Sequence, residues 1–190
     1  MFRSLMTMSK QLPLGKLCRM GLNPSYVICS LVQSFAVGSA GADTSTSLQP
    51  ISPVIVHLEA GIICPPETVE TVTAPDTLAG KTHVIDIEPP FVSNAQLVPA
   101  ALGIGFGIKS QTVIEGGLEG VTMVVTHPAM GPNATASQSF TTSISDRDPS
   151  LTFYQFDYPY ELVLGSWQMT AMHDEEILYQ VQFDVVEAKM

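Results

Sequence analysis

Positive charge is scarce in this chain. Lys and Arg together number 8 against 18 Asp and Glu, and charged residues make up only 14% of 190. Every acidic residue lies beyond position 42, where the only basic residues are Lys81, Lys109, Arg147 and Lys189, so that part of the chain carries −14. Such a body is repelled by phosphate backbones and anionic bilayers, and it has no basic cluster with which to release counterions. Nucleic acid is therefore not the expected partner. Long apolar runs are missing as well: the longest near the N-terminus, Tyr26 to Val37, falls far short of the roughly 20 residues that cross a bilayer as a helix. Enzyme signatures are also lacking, with no H-E-x-x-H, no Walker loop and no G-x-S-x-G after residue 42.

Cysteine is sparse. Of Cys18, Cys29 and Cys64, the first two precede residue 43. The basic residues Arg3, Lys10, Lys16 and Arg19, the apolar run and the small residues Ala40-Gly41-Ala42 follow one another in the order of a secretory signal. Residues 1–42 are expected to be a signal peptide cleaved after Ala42, with the start among Met1, Met6 and Met8, leaving residues 43–190 as a single domain. Export implies a periplasmic or secreted protein with no membrane insertion after cleavage. Cys64 would then be a lone thiol, and the fold would hold without a disulfide. Neither Val27-Ile28-Cys29 nor Ile62-Ile63-Cys64 has the small residue expected before a lipidated cysteine.

What the chain has is alternation. Leu102, Ile104, Phe106 and Ile108 alternate with Gly103, Gly105, Gly107 and Lys109, and Val121, Met123, Val125 and His127 with Thr122, Val124 and Thr126. Phe140, Thr142 and Ile144 form a shorter case, and Ile177, Tyr179, Val181, Phe183 and Val185 the longest. Further strands are expected over 54–63, 82–88, 151–156 and 162–172. No segment sustains a 3.6-residue period, so the domain reads as an all-β antiparallel sandwich of about seven or eight strands. Pro65-Pro66 and Ala74-Pro75 exclude a central strand over 64–80, because proline lacks the ladder donor. Pro128 to Asn133 reads as a wide turn, and His173-Asp174-Glu175-Glu176 as a hairpin joining the last two strands. Trp167, Met169 and Ala171 should face inward together against the apolar row from Ile177 to Val185.

Candidate sites are few. Gly103-Ile104-Gly105-Phe106-Gly107 has Ile108 where a dinucleotide loop needs its third glycine; as a strand, its bare face admits a neighbouring backbone or ring. His127, Met130, Met172 and His173 carry soft and imidazole donors suited to copper(I), and define an alternative reading as a metal-handling module. Methionine is also a common gap filler in cores, and the leading expectation is no metal and no cofactor. Asp146 and Asp148 fall short of a calcium loop's ligand count. Cys64 could act as a nucleophile with His57, His83, His127 or His173, but no spacing pairs them; no catalytic residue is expected, and an enzyme accessory role is a further alternative.

Three stretches carry a resemblance: Val98-Pro99-Ala100-Ala101-Leu102-Gly103-Ile104-Gly105-Phe106-Gly107, Val125-Thr126-His127-Pro128-Ala129-Met130, and Phe156-Asp157-Tyr158-Pro159-Tyr160-Glu161-Leu162-Val163-Leu164-Gly165-Ser166-Trp167. With them the chain, over roughly residues 54–186, resembles the bacterial exported domain-of-unknown-function family 3859. Leu164-Gly165-Ser166-Trp167 stands where that family usually has Pro-Gly-Thr-Trp, and His127-Pro128-Ala129-Met130 where it has His-Pro-Pro-Met. The resemblance implies an immunoglobulin-like sandwich in a bacterial envelope and no known activity. The expected function is a non-catalytic exported binding or interaction module whose partner is an envelope protein or other envelope ligand.

Overall fold

The computed structural model describes residues 51–65, 70–85 and 87–188; the signal-peptide reading of 1–42 lies outside them. The alternating segments form antiparallel strands, as their period of two dictates. In chain order the strands are β1 (Ile55–Ile63), β2 (Glu70–Thr73), β3 (Lys81–Val84), β4 (Leu97–Pro99), β5 (Gly105–Thr112), β6 (Leu118–Met130), β7 (Thr135–Ile144), β8 (Ser150–Gln155), β9 (Gly165–His173) and β10 (Glu176–Val186). They build a three-stranded sheet, β1-β5-β8, facing a five-stranded sheet, β4-β10-β9-β6-β7. β2 and β3 form a separate hairpin, so the proline-rich stretch contributes no central strand. β4, which the alternation did not reveal, adds three residues in parallel to the edge of β10.

Inward residues from both sheets interdigitate. Val121, Met123 and Val125 of β6, Trp167, Met169 and Ala171 of β9, and Tyr179, Phe183 and Val185 of β10 are buried against Ile62, Phe106 and Ile108 of β1 and β5. Phe106 sits among four rings, with centroids 4.8 Å from Phe183, 5.6 Å from Phe156, 5.8 Å from Trp167 and 5.9 Å from Tyr154. A polar crossing within this core joins Ser110 to Tyr179, 3.2 Å between hydroxyl oxygens; burial pushes the Tyr179 phenol up to about 12.

The bare glycine face of β5 is used as its sequence suggests. Gly107 pairs with Gly61 of β1, and a Cβ on Gly61 would lie 2.7 Å from the Phe91 ring, one on Gly107 2.7 Å from the Phe153 Cβ. Two aromatic side chains thus seal the outer face where strand side chains are missing.

Five expectations are corrected. Ten strands form among the described residues rather than seven or eight, β2 and β4 being the additions. The turn expected over 128–133 begins only at Gly131, because β6 continues through Pro128 to pair Met130 with Thr135. Ile177 is not inward: a bulge between Ile177 and Tyr179 inserts Leu178, which is buried, and turns Ile177 out to 50% exposure. An extra residue shifts the phase of a period-two pattern, so inward alternation on β10 starts only at Tyr179. Leu102 lies in a turn before β5 and is exposed, because the carbonyl of Ala101 takes the N–H of Ile104 and closes that turn. Cys64 is disulfide-bonded rather than a lone thiol, and in that state it is no nucleophile.

Candidate functional site

The residues singled out as metal donors do not come together. β6 runs antiparallel to β9 with Thr122 opposite Met172 and Thr126 opposite Gln168, so His127 and the Met172-His173 pair are separated by about five residues of strand, roughly 17 Å at 3.3 Å per residue. His127 and Met130 are buried, whereas Met172 and His173 are only half-buried near the hairpin tip. Among the described residues no three His, Cys, Asp or Glu side chains converge. Asp146 uses Oδ2 to accept the N–H of Gly116 at 2.9 Å, and Ser145 Oγ accepts from the N–H groups of Arg147 and Asp148, so this acidic stretch organises its own turn.

His127 opens a buried polar chain instead. Its Nδ1 lies 2.9 Å from the Pro128 carbonyl, which can only accept, so that nitrogen carries the proton and Nε2 accepts from Gln138 Nε2 at 3.1 Å. Burial pushes the His127 imidazole below its ordinary value, against the opposing pull of the Pro128 carbonyl. Its ring packs against Trp167, with centroids 4.7 Å apart and planes tilted by 33°. With both nitrogens committed, the ring is held as part of the core.

The chain continues toward the surface. Gln138 Nε2 also donates to the Tyr154 hydroxyl at 3.4 Å, and that hydroxyl donates to Glu161 Oε1 at 3.0 Å. Glu161, only 4% exposed, accepts the N–H groups of Asp157 and Tyr158 on Oε2 at 2.6 and 2.8 Å. This is a helix-start device: Pro159 opens the 3-10 turn Pro159–Glu161, and its third residue reaches back to cap the free donors. Burial pushes the Glu161 carboxyl up, while those two N–H groups and the Tyr154 hydroxyl pull it down. Burial, with the Glu161 carboxylate second, holds the Tyr154 hydroxyl far above the usual phenol range.

Gln138, Tyr154 and Glu161 form the floor of a cleft of about 280 Å³. β7 and β8, the facing edges of the two sheets, line its sides, and the β2-β3 hairpin stands over it. Two anchors hold the hairpin. Near its tip the Leu78 N–H donates to Gln138 Oε1 at 2.6 Å and the Ser139 N–H to the Asp76 carbonyl at 3.2 Å. On β3, His83 Nε2 meets Asp157 Oδ2 at 2.5 Å, while Gln155 donates to the other carboxylate oxygen. Side chains bridge the seam as well, Thr142 to Thr152 at 3.1 Å. Tyr158 and Tyr160, on the same corner as Asp157, stack with centroids 5.2 Å apart.

Of these residues only His83 and His127 stand among the candidates the sequence offers, and neither in this role. Pro159 followed by Glu161 is a legible cap signal. His83 and Asp157 are separated by 74 positions, and no local pattern joins them.

In chain order, β1, β5 and β8 lie side by side as strands A, B and E of an antibody domain do, and β6, β9 and β10 as C, F and G. This topology defines an immunoglobulin-like β-sandwich with an added hairpin between its first two strands. The chain belongs to the family described as Domain of unknown function (DUF3859), whose model matches residues 52–185, as the resemblance implied. No curated protein matches the sequence significantly. Among solved structures, an immunoglobulin-like protein from Pseudomonas aeruginosa is similar, with 21% identity and a TM-score of 0.46 over 69% of this chain and 93% of that one.

Proposed function

We propose that the protein is a non-catalytic binding module of the bacterial envelope, exported through its N-terminal signal, and that it holds an envelope protein or other envelope ligand in the cleft between the β2-β3 hairpin and the β7-β8 seam. The cleft carries this reading: it joins apolar surface from Phe140 and Tyr154 to hydrogen-bonding groups from Thr82, Gln155 and Asp157, the mixture a recognition site needs. The His127, Gln138, Tyr154 and Glu161 chain then serves as its rigid floor, since every member spends its polar atoms on a neighbour. Export rests on the charge order and the Ala40-Gly41-Ala42 site.

A photo-cross-linking side chain in place of Thr141, inside the cleft, and another in place of Leu97, on the far edge strand, test the reading in cells. Adducts at 141 and none at 97 are expected. Equal labelling at both positions, or none at 141, would overturn the cleft as the binding surface.

A further inference from the structure

We propose that the cleft takes an extended peptide segment of a partner protein, neutral or basic in charge, which adds as a fourth strand along the outer edge of β8. This rests on the reading of the cleft as a binding site and states how that site binds.

Strand parity shows what β8 turns toward the cleft. The Phe156 N–H donates to the Ile104 carbonyl, so even-numbered residues along β8 direct their main-chain groups to β5 and odd-numbered ones direct them away. Leu151 obeys the rule: its N–H leaves the sheet for Glu88 Oε2 at 3.1 Å. The next two outward positions, Phe153 and Gln155, line the cleft, and among the described residues no strand pairs with that edge. An antibody domain carries strand D there, whereas here residues 145–149 pass from β7 to β8 without forming one. A row of outward N–H and C=O groups is a template for a further strand.

The opposite wall is β3, whose ladder bonds go to β2. His83 meets Asp157 just past the end of β8, and Glu88 meets Leu151 near its start, so the chain from β3 onward runs antiparallel to β8, and it makes both of these ties through its side chains. The space between is walled on both sides. The hairpin beside that edge and the self-repulsion of a net charge of −10 both weigh against a second copy of this chain and for a single extended segment. The lining holds two carboxylates, Asp157 and Glu161, and one ammonium, Lys81, with His83 on Asp157, and this balance favours a neutral or basic segment. Phe140 and Tyr154 offer apolar surface to alternate side chains of such a strand.

The test uses the isotope-labelled full chain and a capped peptide probe, Lys-Val-Thr-Val-Thr-Val-Lys, beside the same peptide N-methylated at alternate amides. At saturation the parent probe should slow amide exchange at Phe153 and Gln155 at least tenfold, and N-methylation should weaken binding at least tenfold. Gln155→Pro removes one outward donor without touching the ladder and should abolish the protection, while Gln155→Ala should keep it. If Gln155→Pro fails to fold, the comparison of the two probes on the unmodified protein decides. Equal binding of both probes, or shifts confined to the hairpin with unchanged exchange on β8, would overturn strand addition while leaving the cleft a binding site. Protection of the same amides by concentration-dependent dimerisation without probe would also overturn it, assigning the edge to a second copy. No binding of the probe at millimolar concentration, with cross-linking at position 141 intact, would overturn the strand mode alone.

Discussion

Phe106 of β5 and Trp167 of β9 meet edge to face across the sandwich, with centroids 5.8 Å apart and ring planes at 86°. Antibody domains join these two strands, B and F, by a disulfide. Here a pair of rings makes that connection, and Trp167, fully buried, also donates its indole N–H to the Val163 carbonyl at 3.1 Å.

The first prediction follows from that pair. Trp167→Ala removes a ring that contacts Phe106, Tyr154, Phe156 and His127, and truncation of a core aromatic costs about 3–5 kcal/mol. Against a total stability of roughly 5–15 kcal/mol, the variant should lose most of its resistance to denaturant. Wild-type tryptophan emission should be blue-shifted and poorly quenched by iodide; red-shifted, readily quenched emission would place the ring at the surface.

A second concerns the covered glycine face. A Cβ at position 107 would press on the Phe153 Cβ and the Thr152 carbonyl, and overpacking of this kind costs about 1–3 kcal/mol. Gly107→Ala should therefore lower the urea midpoint, whereas Gly80→Ala should not do so by crowding, since nothing stands within 4 Å of its Cβ. Gly80 has φ +67°, so its own smaller loss would come from backbone strain.

The turn between β9 and β10 offers a gain. Asp174 and Glu175 both have positive φ, 48° and 67°, the geometry of a two-residue I′ hairpin that asparagine and glycine prefer. A left-handed conformation costs a non-glycine residue roughly 1–2 kcal/mol. Glu175→Gly recovers part of that, offset by the entropy of a freer unfolded chain, and should raise stability by about 0.5–1 kcal/mol in equilibrium unfolding.

Acid should loosen the floor of the cleft. The His127 imidazole lies below its ordinary value in the folded state because it is buried, so its contribution to stability is present above about pH 6.5 and declines as pH falls from there toward the folded-state value. Glu161 acts in the other sense: its carboxyl is raised by burial, so its contribution is greatest below the usual carboxylate range and fades as pH rises through the raised value. Denaturant midpoints from pH 5 to 8 should fall on the acid side of that range in the wild type and change less in His127→Gln. An equal slope in the two proteins would remove His127 as the titrating group.

The sequence alone determined most of the strands and most of the core, because both depend on a period of two that is written locally. Val121, Met123 and Val125, and Trp167, Met169 and Ala171, can be assigned to an inward face from their own segments. Glycines at 105 and 107 likewise announce a face that something large must cover, though not that Phe153 covers it. Where one strand must be matched to another, local pattern runs out. The bulge at Ile177 exists because β10 is matched to β9 residue by residue, and only that register reveals which apolar side chain is turned outward. The donors His127 and His173 each lie near a methionine, Met130 and Met172, yet the antiparallel register of β6 and β9 sends them to opposite ends. The cleft is wholly a tertiary product. His83 meets Asp157 and Leu78 meets Gln138 only once the hairpin has folded over the seam, and contacts closed across so many intervening residues depend on the path of the whole chain.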